Sequence, residues 1–273
     1  MMDGMLEERL GGGRSTTGVV RIGETVHRPT GPWTPTIHAF LRHLRASGFT
    51  VAPEVLGVDD HGREILSYIP GETWGDHIDP DEPKTELAAT RRWPDATRSE
   101  QALAAIGRLY AELHRAAVGF RPTAPIWREY ELPMHDGEIV CHGDAGPWNV
   151  VYRDGLPAAL IDWDGAQPDL PINELASIAW HFVPLGPDDF LRACGFTEPF
   201  ATARRLRVLC EAYGLADRLA ILPALNLVKQ LFPMKLRYWQ PIAPRTGAAH
   251  LRATASDLDW LEHNMDGLRS HLV

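Results

Sequence analysis

Cysteine is scarce in this sequence of 273 residues: Cys141, Cys194 and Cys210 stand far apart, and none belongs to a C-x-x-C pair. An odd, dispersed set of thiols excludes a disulfide framework and a cysteine-based zinc site, and predicts reduced thiols. Long apolar runs are also missing, with no stretch approaching the roughly 18 consecutive apolar residues of a membrane span. The opening residues, MMDGMLEERLGGG, lack the basic segment and apolar core of an export signal. These two absences predict a cytoplasmic protein with no membrane partner. Positive charge is in deficit, at a net charge of -9 and a pI of about 5.7. That balance speaks against a nucleic-acid surface and leaves room for a cationic substrate, although solubility alone accounts for it. What is present, 44% hydrophobic and 23% charged residues, suits one large core or two lobes sharing a cleft.

Along the chain, Gly11-Gly12-Gly13 precedes an extended pattern from Thr17 to Ile22 that resumes from Thr25 to Arg28. The intervening Gly23-Glu24 predicts a two-residue hairpin turn with glycine at its first position. Thr34 is the expected cap, with Pro35 at the first position, of a helix whose stripe Ile37, Phe40, Leu41 and Leu44 ends at Gly48. Val55 to Val58 and Glu64 to Ile69 read as a strand pair, closed by Pro70-Gly71.

Residues 72–98, polar and rich in Pro and Asp, predict a connector between an N-terminal part, 1–71, and a C-terminal part, 99–273. Thr97 and Glu100 fit a capping box for a helix running to about Val118. Short strands follow at Ile139 to Cys141, Val150 to Tyr152 and Ala158 to Ile161, and helical patterns dominate from Ile172. The order predicts an α+β fold, a small β-rich lobe followed by a larger, mainly helical one.

The chemistry concentrates in His142-Gly143-Asp144-Ala145-Gly146-Pro147-Trp148-Asn149, which matches the H-x-D-x-x-x-x-N spacing of the protein-kinase catalytic loop. A loop leaving a strand there offers one carboxylate to an acceptor hydroxyl and, a turn later, an amide oxygen to a metal on the phosphates. Thirteen residues after Asn149, an apolar strand delivers Asp162, a second oxygen ligand for that metal.

Val140-Cys141-His142-Gly143-Asp144 with Asn149, followed by Leu160-Ile161-Asp162-Trp163-Asp164, resembles the aminoglycoside phosphotransferase family, whose fold is kinase-like and bilobal. The resemblance implies an ATP- or GTP-dependent, Mg²⁺-requiring kinase that phosphorylates an alcohol group on a small molecule. It implies Asp144 as catalytic base, His142 as a support of the loop, and Asn149 and Asp162 as Mg²⁺ ligands. Asp164 is placed to touch the metal, bind substrate or cap the next turn. Glu174, where the family commonly has Asp, is expected to brace the catalytic loop. Gly12 and Gly13 resemble a nucleotide loop whose backbone approaches phosphate, or else form a linker. Ser67 and Ile69 fall at the family's lobe hinge, where backbone groups receive adenine.

The sequence departs from the family in two places. Residues 1–83 contain no lysine, which leaves Arg28 as the best placed cation for the nucleotide phosphates. No acidic residue lies between Glu24 and Glu54 to pair with it, and His38 is the nearest polar substitute. Two other readings stand beside the kinase. His142, Asp144, Asp162 and Asp164 suit a metal-dependent hydrolase, and loss of the lysine–glutamate pair suits a catalytically weak nucleotide-binding or sequestering protein. The expected physiological roles are antibiotic resistance, self-immunity or metabolism. His114 reads as a packing residue, and one of Trp127, Trp148, Trp163 and Trp180 is expected to stack on a substrate ring.

Overall fold

The computed structural model describes residues 6–10, 18–73, 93–129, 131, 133–239 and 246–273. The N-terminal lobe is a five-stranded antiparallel sheet of β1 (Glu8–Arg9), β2 (Val20–Ile22), β3 (Thr25–Pro29), β4 (Val55–Val58) and β5 (Arg63–Ser67), in the order β1-β2-β3-β5-β4. Ile22 pairs with Thr25, so Gly23 and Glu24 are the whole turn, and Gly23 takes the positive φ of 60° that this turn demands. Gly12 and Gly13 lie outside the described residues.

Helix α1 (Thr34–Ala46) crosses from β3 to β4 with Trp33, not the expected Thr34, as its N-cap. Thr34 is the first helical residue, and its hydroxyl accepts the N–H of Gly31 at 2.9 Å. The stripe Ile37, Phe40, Leu41 and Leu44 is buried, and it packs beyond its own lobe. Phe40 meets the Trp163 ring edge-on at 5.9 Å, and His43 Nε2 bonds the carbonyl of Ala116 at 2.9 Å.

The second lobe begins with a short α2 (Asp95–Arg98) and the long α3 (Glu100–Ala117). Ser99, not Thr97, caps α3: its extended backbone lets the hydroxyl accept the N–H of Ala102, whereas Thr97 sits inside α2 and bonds Pro94. Two ribbons follow, β6 (Ile139–Cys141) with β9 (Gln167–Asp169), and β7 (Val150–Arg153) with β8 (Leu156–Leu160). Helices α4 (Pro171–Phe182), α5 (Asp188–Ala193), α6 (Thr202–Tyr213), α7 (Ile221–Trp239) and α8 (Thr246–Leu272) complete the lobe.

The segment expected as a connector divides. Glu72 makes a two-bond bridge to Tyr152 on β7, at 2.9 and 2.8 Å, and Gly71 lies so close that an added Cβ would meet Val151 at 2.5 Å. Residues 74–92 lie outside the described part, while Trp93 packs with Cys194 and donates its backbone N–H to Cys194 O at 3.0 Å. Residues 93–98 therefore belong with the helical lobe. One stretch, Arg218–Leu236, is long and apolar enough by length and composition to cross a bilayer. Its Ile221, Leu222, Ala224, Leu225 and Leu236 are buried, as in an amphipathic core helix, while Leu227, Leu231 and Met234 face outward.

Candidate active site

Strand β6 is wholly buried, and its pairing with β9 fixes where the chain emerges at His142. Glu174, in the first turn of α4, accepts the N–H of His142 at 3.1 Å and that of Gly143 at 2.8 Å, one on each carboxylate oxygen. The expected brace is present. Gly143 has φ of 80°, and an added Cβ would lie 1.8 Å from the Gly165 carbonyl oxygen, so only glycine fits. His142 bonds the carbonyl of Ile161 through Nε2 at 2.9 Å and packs 4.6 Å from the Trp163 ring. That bond ties the loop to the end of β8 through one ring nitrogen, while the other, Nδ1, is buried without a hydrogen-bond partner among the described residues.

Asp144 follows directly. Its carboxylate accepts the Trp148 indole N–H at 3.2 Å on one oxygen and the Asn149 amide at 2.8 Å on the other. The 3-10 turn Pro147–Asn149 brings both donors round, and Asn149 Nδ2 also holds the Asp144 carbonyl at 2.9 Å. Burial first, and then the nearby charge of Asp162, push the Asp144 carboxyl above its usual range, while its hydrogen bonds oppose them. A raised carboxylate held in fixed orientation in a loop is what a general base requires.

Asp162 leaves β8 in the left-handed conformation, φ 60° and ψ 68°, which aspartate tolerates better than most residues. Its neighbour Ile161 donates to Asn149 O at 3.0 Å, tying the Asp162 turn to the Asn149 turn. The Asp162 side chain is 33% exposed, against 10% for Asp164. Because Asn149 Nδ2 faces Asp144, its amide oxygen is left for another partner. An amide oxygen and a partly exposed carboxylate on adjoining turns are a fitting donor set for Mg²⁺, although one oxygen of that carboxylate is engaged by Arg28.

Arg28 enters this group from β3 and is almost wholly buried. Nη1 donates to Asp162 Oδ1 at 3.0 Å, Nη2 bonds Asp164, and Nε stands 3.1 Å from Glu64 Oε1 as a charge contact without hydrogen-bond alignment. Burial opposes its charge, but Asp162, Asp164 and Glu64 outweigh it and raise the guanidinium pKa. Glu64 in turn takes His38 Nε2 at 2.7 Å. The sequence reading missed Glu64: the pairing acid comes from the neighbouring strand, and His38 on α1 reaches Arg28 only through it. Arg128, also missed, approaches the same Asp164 oxygen at 3.4 Å while its guanidinium lies over the Trp33 ring. Asp164 thus serves two arginines. Its carboxyl is pushed up by burial, with Arg28 as the main opposing influence.

Ser67 ends β5, pairs with Thr25, and exchanges bonds with Glu54 through its N–H (2.9 Å) and hydroxyl (2.8 Å). Ile69 lies just past the sheet and is half-buried. Of the four tryptophans, Trp127, Trp163 and Trp180 are core, whereas Trp148 is half-buried beside Asp144. Its ring also meets His181 at 5.0 Å. Burial, aided by the charge of Lys229, holds His181 down to about 4, so its imidazole is neutral at pH 7 and Nδ1–H donates to Ala145 O.

The sequence pattern of the phosphotransferase enzyme family matches residues 10–209. The chain belongs to that family. It is 38% identical over 213 residues to a trifolitoxin immunity protein of Rhizobium leguminosarum bv. trifolii, covering 76% of this chain and 74% of that one. Among solved structures, a putative aminoglycoside phosphotransferase from Ralstonia eutropha superposes with a TM-score of 0.53 at 14% identity, over 94% of this chain and 91% of that one. A macrolide 2′-phosphotransferase from Brachybacterium faecium gives 0.46 at 17% identity, over 88% and 87%. The phosphotransferase fold, with its β-sheet lobe and helical lobe, is the one expected from the catalytic-loop residues.

Proposed function

We propose that this phosphotransferase-family protein transfers a phosphoryl group from ATP or GTP to a hydroxyl of a small molecule. The observation that carries the reading is Asp144, whose carboxylate oxygens are both held by donors from its own loop, with Asn149 and Asp162 alongside. Asp144 orients the acceptor hydroxyl and takes its proton as the bond to phosphorus forms. Asn149 and Asp162 are the residues that would hold Mg²⁺, which when bound neutralises charge on the phosphates. The backbone at Ser67 and Ile69 is the expected seat of the base, and Trp148 is the side chain best placed to lie against the acceptor. The likeness to an immunity protein supports a protective role, in which phosphorylation inactivates an antimicrobial compound in the cytoplasm.

One observation favours a second reading, a protein that binds and sequesters its ligand. The guanidinium expected on the nucleotide phosphates faces three carboxylates instead, those of Asp162, Asp164 and Glu64. A single experiment separates the two: ATP and GTP consumption screened against aminoglycosides, macrolides, nucleosides, amino alcohols and peptide antimicrobials, beside Asp144→Ala and with excess EDTA. Consumption that needs an acceptor and disappears in both controls establishes phosphotransfer. Tight nucleotide binding with no turnover on any acceptor establishes sequestration.

A further inference from the structure

His114 stands one hydrogen bond behind the catalytic-loop brace. Its Nε2 lies 2.8 Å from Glu174 Oε2, the same oxygen that accepts the His142 N–H, and its Nδ1 lies 2.7 Å from the Tyr213 hydroxyl. Three helices, α3, α4 and α6, each contribute one polar side chain to this line, and His114 and Glu174 are nearly fully buried. Burial raises the Glu174 carboxyl, but the bond from His114 and the loop donors outweigh it and hold the group below its usual value. Cys141 lies within 4.8 Å, yet burial keeps its thiol protonated, and the ring nitrogens and carboxylate oxygens are already taken, so the trio is a hydrogen-bond network and not a metal site.

Burying an ionised carboxylate is costly, and here the cost is offset by the two backbone donors and the imidazole that it serves. What the line delivers is direction. Glutamate has a flexible stem, and two backbone donors from a single loop leave it free to move with that loop. A third donor from α3 anchors it to the helical core. On the loop's other side Gly143 has no slack, since even a Cβ there would overlap Gly165 O at 1.8 Å.

We propose that His114 is a positioning residue for phosphoryl transfer, acting through Glu174 to fix the His142 and Gly143 amides and thereby the place of Asp144. The proposal rests on the phosphotransfer reading for its kinetic consequence and on geometry alone for its structural one. A misplacement of about 1 Å at a reacting group costs on the order of 100-fold in rate.

The test uses His114→Leu, His114→Gln and Tyr213→Phe in the full chain, with amide hydrogen exchange over residues 139–149 and basal MgATP and MgGTP hydrolysis as readouts. In His114→Leu, exchange over 139–149 is expected to rise by about tenfold or more while α3 and α6 keep wild-type protection. Basal kcat falls by roughly 10-fold or more, with the nucleotide KM within about twofold. His114→Gln, which keeps a donor, restores most of both, and Tyr213→Phe gives a smaller loss of about threefold. Tyr213→Phe decides the matter if His114→Leu does not fold. Unchanged exchange over 139–149, or an equal rise through the whole molecule, overturns the proposal. A wild type that hydrolyses neither nucleotide sinks the phosphotransfer reading instead, and the exchange data still decide whether His114 holds the loop.

Discussion

Arg28 and Glu64 stand opposite each other on β3 and β5, in register, with the arginine Nε 3.1 Å from the carboxylate. The register of the two strands brings the pair together. In protein kinases the acid that partners the small-lobe lysine comes from the helix. Here the helix contributes His38, which holds the far oxygen of Glu64.

Replacing Arg28 with methionine leaves the carboxylates of Asp162, Asp164 and Glu64 without their shared cation. Removing one partner of a buried ionic cluster costs about 3 kcal/mol or more, and urea unfolding in EDTA measures it. Divalent metal should recover part of the loss. If Arg28 also reaches nucleotide phosphates, the variant loses roughly 10-fold or more in affinity for triphosphate and none for adenosine. Equal stability of variant and wild type in EDTA would mean that the contacts to Arg28 contribute nothing.

Asp144→Asn removes the base and keeps a side chain of the same size, although its single acceptor oxygen can hold only one of the two donors, Trp148 Nε1 and Asn149 Nδ2. Turnover is expected to fall by about 100-fold or more with nucleotide affinity held within a few-fold, as calorimetry and initial rates would show. Turnover within about threefold of wild type would take the base role away from Asp144.

Gly143→Ala and Gly48→Ala form a matched pair, because both glycines have φ near +80 to +90° but only the first is crowded. At Gly48 nothing lies within 4 Å of the added methyl, so the cost is backbone strain alone, about 1 kcal/mol. At Gly143 the methyl meets the Gly165 carbonyl, and a loss above about 2 kcal/mol together with loss of activity is expected. Similar unfolding free energies for the two variants would contradict the close approach of the loops.

His181 gives the acid side of the stability curve a definite sign. Its folded pKa is depressed to about 4 from 6.5, so unfolded chains take up the proton first as pH falls. The stability it contributes is complete above about pH 6.5 and is lost progressively down to about 4, by at most roughly 3.5 kcal/mol at about 1.4 kcal/mol per unit. His181→Gln keeps a donor for Ala145 and should flatten the limb. Parallel unfolding curves for the two proteins at pH 4, 5, 6 and 7 would assign the limb to another group.

Local signals carried much of this structure. The Gly23-Glu24 turn, the α1 stripe and the spacing from His142 to Asn149 are all readable within a window of a few residues, because each is decided by backbone conformation or periodicity there. The partners of Arg28 are not readable in that way. Asp162 is 134 positions away and becomes a neighbour only once the lobes have folded against each other. Glu64 needed the register of β3 with β5, and His114 looked like packing because its face of α3 is otherwise apolar. The α3 cap was misplaced for a smaller reason: Thr97 and Ser99 are both plausible caps, and only the backbone turn between α2 and α3 chooses Ser99.

Phe40 on α1 touches Trp163, and one continuous core includes both. Val51 also accepts the N–H of Leu160 from β8 at 2.9 Å. The two lobes therefore share one core and are not separate folding units. An isolated fragment ending at residue 71 would expose the apolar stripe of α1 and should not hold its structure. Phe49 also meets the Trp163 ring edge-on at 6.5 Å, so grafting the small lobe of one family member onto the large lobe of another should succeed only when the residues at positions 40, 49 and 163 travel together.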